Sequence, residues 1–224
     1  VDWALFSYSE YEKLQQELKP CTVELVDDLF ADIWENRPQL VFNPIISLDV
    51  KYAGESAKSK FNRVVEALDI KEQMFVYIVS ACDQVAWLCN IRGTGIELHP
   101  YTSFTQTLKQ IPASTLRICS KGSITVRDYN ALDIPGATFI EDPTLGGTIN
   151  YFKAIKNNWE KEGFRKAFLE DGKAWCKLLK YIDDSLAASQ PINEWTIGEK
   201  LIEFRKESQD YKGESFEPIV AFGK

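Results

Sequence analysis

The stretch Met74-Phe75-Val76-Tyr77-Ile78-Val79-Ser80 runs straight into Ala81-Cys82-Asp83-Gln84-Val85-Ala86-Trp87-Leu88-Cys89-Asn90, and together they decide the fold class. The first half is a nearly unbroken apolar, β-rich run, the pattern of a strand covered on both faces. The second half carries Val85, Ala86, Leu88 and Cys89 and reads as a helix over 81–90. Upstream, 56–68 is a strong helix with Phe61, Val64, Val65 and Leu68 on one face. Downstream, helices are expected at 103–111 and 123–132 and short strands at 115–119 and 138–140. This alternation predicts α/β layering rather than an all-helical bundle.

Toward the N-terminus, Ser9-Glu10-Tyr11-Glu12 can cap and start a helix that Pro20 ends. A short strand is expected at 22–25, and a short helix at 28–34 with Leu29, Ile33 and Trp34 on one face. Residues 36–45, with Pro38 and Pro44 and little periodicity, read as a linker. Toward the C-terminus, 158–186 contains no proline and presents Trp159, Phe164, Phe168, Trp175, Leu178 and Leu179 in an apolar stripe, predicting one long amphipathic helix. A second helix is expected over 196–208, with Thr196 as N-cap and Glu199 at the capping-box position.

The 224 residues carry 26 Lys plus Arg against 33 Asp plus Glu, a net charge of -7. Phosphate neutralisation needs a surplus of cations, so general nucleic-acid binding is excluded, as is attraction to an anionic membrane surface. The apolar runs are all far shorter than the roughly 20 residues a membrane helix needs. Val1 opens the chain without a basic or apolar leader, as expected of a processed chain or an internal fragment. Five cysteines stand at 21, 82, 89, 119 and 176 without any C-x-x-C, predicting reduced, mostly buried thiols in a cytoplasmic protein. The six tryptophans are spread over every segment, which reads as core packing rather than a stacking platform.

Chemistry has few places to reside. His99 is the only imidazole and sits in a loop-like His-Pro-Tyr-Thr-Ser, so a triad or a zinc site would have to be built on it. Phosphate-loop, dinucleotide, zincin and nucleophile-elbow motifs are absent from the sequence, and Gly93-Thr94-Gly95 is too short a signal for a nucleotide loop. Asp27-Asp28 with Asp32 puts two carboxylates, at i and i+4, on one face of the expected helix, and they read as solvated. Arg92 follows the apolar helix and precedes Gly93; it either clamps a carboxylate in a cleft or forms a structural ion pair with a group such as Asp83 or Glu97.

Five stretches, in order, resemble the three-domain Xaa-Pro aminopeptidase (aminopeptidase P) family. Leu29-Phe30-Ala31-Asp32-Ile33-Trp34-Glu35-Asn36-Arg37-Pro38 is similar to the family's D-x-I-W-x-x-R-P linker. Lys51-Tyr52-Ala53-Gly54-Glu55-Ser56, continuing to Lys60, is similar to the start of its middle domain. Ala81-Cys82-Asp83 through Ala86-Trp87-Leu88 to Asn90-Ile91-Arg92-Gly93 resembles its most recognisable middle-domain motif. Lys153-Ala154-Ile155-Lys156-Asn157, with Glu160, Gly163, Arg165 and Asp171-Gly172, resembles the opening helix of its pita-bread catalytic domain, with Phe168 where relatives often carry His. Glu203-Phe204-Arg205 and Ser215-Phe216-Glu217-Pro218-Ile219 continue the match.

The resemblance implies an α/β fold: the end of a first domain and linker (1–40), a creatinase-like middle domain with a mixed sheet flanked by helices (41–152), and the opening helices of a pita-bread domain (153–224). It implies part of a hydrolase that removes the N-terminal residue preceding proline, with two manganese ions in the full-length enzyme. The family's metal ligands lie beyond the position reached by Gly223-Lys224, so this piece is expected to hold no metal and to be inactive. Arg92 is the one residue expected to touch substrate. The implied partners are proline-containing peptides, with no nucleic acid and no membrane, and a homodimer is left open. Relatives carry several dozen more residues after the Asn90-Ile91-Arg92-Gly93 motif, so residues are expected to be missing near 94–95, leaving a sheet edge unpaired. The alternative is a non-enzymatic interaction module on the same creatinase-like domain.

Overall fold

Side chains alternate across a strand, and in the expected strand after Met74 this alternation feeds two separate cores. The computed structural model describes residues 1–38, 44–71, 74–93, 101–144 and 146–221. These fall into two units, Val1–Lys156 and Asn157–Lys224.

In the first unit the order is α1 (Tyr8–Glu17), β1 (Ile46–Ser47), α2 (Val50–Ala53), α3 (Ala57–Leu68), β2 (Phe75–Tyr77), α4 (Cys82–Cys89), β3 (Ile91–Arg92), α5 (Tyr101–Lys109), β4 (Leu116–Cys119), α6 (Val126–Leu132), β5 (Phe139–Glu141) and α7 (Thr148–Ala154). A parallel sheet runs β2-β4-β5, with Phe75 opposite Leu116 and Ile118 opposite Ile140. A separate two-stranded antiparallel ribbon pairs β1 with β3.

Val76, Ile78 and Cys119 point to one side of the parallel sheet, where they pack with Leu108, Ile124, Tyr129 and Leu132 from α5, α6 and the turn before α6. Phe75, Tyr77 and Ile118 point to the other, against Val64, Leu68, Trp87, Leu88 and Ile149 from α3, α4 and α7. Helices on both faces of a parallel sheet are the α/β layering expected from the sequence. All four residues of β4 are buried, including Arg117. Its guanidinium donates through Nη1 to the Thr115 carbonyl at 2.8 Å and through Nη2 to the Ile111 carbonyl at 2.9 Å, so the backbone of the turn that precedes the strand takes up both terminal nitrogens of a buried charge, while Nε has no partner among the described residues.

The second unit consists of α8 (Asn158–Ala187) and α9 (Glu194–Lys206), followed by an extended tail. Asn157 and Glu160 form a reciprocal capping box that fixes the start of α8. Ala174, Leu178 and Leu201 form the core, with Tyr181, Ile182, Ile197 and Phe204 around it. Arg205 Nε donates to Asp171 at 2.7 Å and ties the two helices together.

Several expectations are corrected. Residues 28–34 form turns, not a helix: Ala31 and Ile33 donate to carbonyls three residues back, and Leu29, Phe30, Ile33 and Trp34 are exposed, so no core among the described residues receives the stripe that would stabilise a short helix. Asp27, Asp28 and Asp32 therefore share no helical face. Asp27 accepts from the Trp3 indole, and Asp28 pairs with Arg37. The expected strand at 22–25 is reduced to one bridge between Asp2 and Val26. The strand after Met74 is confined to Phe75–Tyr77, is half-buried, and lies at the edge of the described sheet. The N-cap of α1 is Ser7, and that of α9 is Asn193, whose box partner is Thr196, so Thr196 and Glu199 do not form the cap. Of the tryptophans only Trp87 is buried; Trp34, Trp159, Trp175 and Trp195 are exposed. Three of the five thiols, Cys21, Cys82 and Cys176, are exposed, and only Cys119 is buried.

Ile118 is fully buried in the core against α3, α4 and α7, whereas Ile219 in the tail is 91% exposed. Ile118→Ala is expected to lower unfolding stability by about 2–5 kcal/mol and Ile219→Ala by less than about 0.5 kcal/mol, read as the shift in urea midpoint.

Candidate functional site

The motif that carries Arg92 is built around a reversal of the chain. α4 begins at Ala81 without a side-chain cap, and Asp83 in its first turn pairs with Lys153 of α7. The helix ends at Asn90, which takes the left-handed conformation at φ 54° that Asn tolerates better than most residues. The chain then enters β3, where Ile91 and Arg92 pair with Ser47 and Ile46.

A buried lysine fixes this reversal. Lys60 of α3 donates through Nζ to Asn90 Oδ1 at 2.7 Å and to the Trp87 carbonyl at 2.9 Å, and its ammonium lies 4.3 Å from the centre of the Trp87 ring. Asn90 Nδ2 in turn donates to the Glu55 carbonyl at 2.8 Å. Glu55 accepts from Ser59 Oγ at 2.8 Å and from Arg63 Nη2 at 2.7 Å. The charge is held by helix-end carbonyls and an aromatic face, as a desolvated ammonium requires.

Arg92 itself is exposed. Its Nη1 donates to Ile91 O at 2.7 Å and Ala86 O at 3.1 Å, which anchors one edge of the guanidinium on the end of α4. The ion pair considered with Asp83 does not form, because Lys153 occupies that carboxylate. Among the described residues no carboxylate pairs with Arg92. Glu97, His99 and the junction at 94–95 lie outside the described residues, so the expected break in the chain there does too.

Two further polar centres are legible only in three dimensions. Asp142 is buried and accepts from Tyr77 Oη at 2.5 Å, from Thr148 N and Oγ1 at 2.8 Å each, and from Thr144 N at 3.0 Å. Burial pushes its carboxyl up, but the Tyr77 hydroxyl and the threonine donors outweigh this and hold it below the ordinary carboxylate value. Desolvation and the same carboxylate push the Tyr77 phenol upward. Asp128 accepts from Thr105 Oγ1 at 2.6 Å and Thr125 Oγ1 at 2.9 Å and so locks α5 to the start of α6. Burial, then the charge of Glu141, pushes the Cys119 thiol up to about 11, which makes it inert at neutral pH. No three His, Cys, Asp or Glu among the described residues could jointly hold a metal ion. A surface groove of about 590 Å³ runs beside α1, lined by Glu12, Gln15 and Val23 among others, and Arg92 is not on it. No described helix is long and apolar enough to cross a membrane.

Lys60→Met keeps the stem volume and strands the acceptors on Asn90 and Trp87, with an expected loss of about 1–3 kcal/mol per stranded acceptor in urea unfolding. Asp142 contributes stability above its unfolded pKa, and that contribution is lost as pH falls through the lower folded value. Tyr77→Phe is therefore expected to cost about 1–3 kcal/mol at neutral pH, and its gap to the parent protein should narrow below about pH 4 in acid titrations of stability.

Comparison with known proteins gives this geometry a family. The Creatinase/Prolidase N-terminal domain matches residues 36–103. A probable Xaa-Pro aminopeptidase P of Laccaria bicolor is 29% identical over 271 residues, covering 100% of this chain and 41% of the relative. The Xaa-Pro aminopeptidase ApepP of Drosophila melanogaster is 26% identical over 267 residues, covering 100% of this chain and 43% of its own length. The crystal structure of an X-prolyl aminopeptidase from Caenorhabditis elegans, described as a cytosolic enzyme with a di-nuclear active site, superposes with a TM-score of 0.79 at 20% identity, over 96% of this chain and 42% of that one. The chain thus spans less than half the length of these relatives. Along that span it is similar to the Xaa-Pro aminopeptidases P, and its residues 36–103 match the creatinase/prolidase N-terminal domain.

Proposed function

We propose that the chain is part of a dinuclear-metal aminopeptidase that removes the N-terminal residue preceding proline. In this reading 1–40 end a first domain, 41–152 are a creatinase-like middle domain, and 153–224 open a pita-bread catalytic domain. One observation carries the proposal: relatives named Xaa-Pro aminopeptidase P align with the whole chain rather than with a single domain. Those alignments run to 271 and 277 positions against 224 residues here, so dozens of the relatives' positions face no residue of this chain. This supports an omission near 94–95. A cytoplasmic location is supported by the structural neighbour, described as cytosolic, and by the five free thiols.

The described residues do not fit a pair of metal ions. The buried carboxylates Asp128 and Asp142 spend their oxygens on hydroxyls and amides, and no cluster of ligands assembles elsewhere among them. In this proposal the two manganese ions of the full enzyme, and the chemistry they supply, belong to residues outside this chain. What this chain offers is Arg92, exposed and held at Nη1 by two carbonyls. Such a group binds a peptide carboxylate or carbonyl without entering the bond-breaking step.

The test is the complete product of the parent gene, assayed on an Xaa-Pro peptide with and without manganese. Manganese-dependent release of the first residue is expected, and no release from the 224-residue chain alone. Elemental analysis of that chain should find no stoichiometric metal. Absence of cleavage by the complete product would favour the non-enzymatic module instead. In the complete enzyme, Arg92→Ala should raise KM several-fold and lower kcat less, the signature of lost uniform binding.

A further inference from the structure

We infer that Lys60 is the positioning residue of Arg92: without touching substrate it fixes where the guanidinium stands, an inference that rests on the reading of Arg92 as a substrate-binding group. Lys60 is 2% exposed, so its ammonium cannot meet a peptide itself. Arg92 is exposed and lies two residues beyond Asn90, whose side chain the ammonium holds at 2.7 Å. Two features place Arg92, and both depend on that turn.

The first is the direction of the strand. Asn90 is left-handed, with φ 54° and ψ 49°, and its carbonyl accepts from Leu48 N at 2.7 Å, which opens the pairing of β1 with β3. Its side chain accepts from Lys60 and donates to the Glu55 carbonyl at 2.8 Å, so the residue that aims the strand is held from α3 and from the turn before it. The second feature is the anchor. Arg92 Nη1 donates to the Ala86 carbonyl at 3.1 Å, and that carbonyl also accepts from the Asn90 amide. The next carbonyl, of Trp87, accepts from Lys60 at 2.9 Å. Strand and anchor are thus tied to one ammonium. Burying an ammonium is costly, and a well-packed apolar side chain would hold two helices together at lower cost. Hydrogen bonds add defined angles and distances. Here they specify a turn, and the group two residues further on is the one whose placement substrate binding needs.

The experiment is a double-mutant cycle in the complete gene product, with kcat and KM measured on an Xaa-Pro peptide for Lys60→Met, Arg92→Ala and the two together. Lys60→Met should raise KM about threefold or more and change kcat less. In the Arg92→Ala background it should change KM by less than about 1.5-fold, because the group it positions is gone. Asn90→Gly keeps the left-handed turn and removes the Lys60 acceptor. It should raise KM and lose that effect in the Arg92→Ala background, and it carries the test if Lys60→Met does not fold. Leu132→Ala opens a cavity in the core on the other face of the sheet. It should lower the urea midpoint and leave KM unchanged, which separates positioning from a general loss of packing. Arg92→Ala with the parent KM, or a complete product that releases no residue, overturns the reading of Arg92 and this inference with it. If Arg92→Ala raises KM while Lys60→Met leaves it unchanged, or the two effects multiply, the inference alone is overturned. It is overturned as well if Leu132→Ala raises KM as much as Lys60→Met.

Discussion

The first unit depends on the desolvation of β4. Leu116–Cys119 is paired on both sides and covered on both faces, so each peptide group must find its partner in a neighbouring strand and each side chain must find a packed surface. Ile118 meets both demands by standing between α3, α4 and α7. Arg117 meets them by turning its guanidinium back onto the carbonyls that lead into the strand. A strand buried this completely leaves the sheet one register and leaves its helices two fixed surfaces to pack on.

A second constraint acts through Lys60. Its ammonium couples the first turn of α3 to the end of α4, and Asn90 passes the contact on to the turn before α3 through the Glu55 carbonyl. The left-handed turn at Asn90 is therefore held by a side chain of α3 and by a backbone carbonyl of the turn before it, and β3 leaves it in a defined direction. Arg92 inherits that direction. One of its anchoring carbonyls, that of Ala86, lies on α4 one residue before the Trp87 carbonyl that Lys60 binds, and the other is that of Ile91 in β3, so the guanidinium is placed beside the helix end that Lys60 stabilises.

Elements with strong periodicity were legible in the sequence: α3 and α8, each behind a side-chain cap, and α4, uncapped but following directly on the apolar strand. β1 and α2 were not, being two and four residues long, shorter than any period they could display. Nor was α7, which starts at Gly147 without a side-chain cap. The stripe at 28–34 misled because periodicity records an apolar face and not whether a surface exists to receive it. The tryptophans misled for a related reason. A large ring is an asset in a core, but Trp175 and Trp159 lie on a helix whose packed face points elsewhere. Of the site, Arg92 and its motif were visible as residues, whereas the Asp142 clasp joins Tyr77 to a loop 65 residues away and has no local signature.

β2 has a further consequence. Its register with β4 turns the peptide groups of Val76, the Met74 carbonyl and the Ile78 amide inward, with Leu116 N donating to Met74 O at 3.1 Å and Ile78 N to Ile118 O at 2.8 Å. The peptide groups of Phe75 and Tyr77 point away from β4 and find no backbone partner among the described residues. Amide deuterium uptake along this one strand therefore alternates, fast at 75 and 77 and slow at 76 and 78, within a segment whose side chains are evenly half-buried. The side chains and the backbone of β2 report two different environments: the first sits between layers, and the second has no backbone partner along one rim among the described residues.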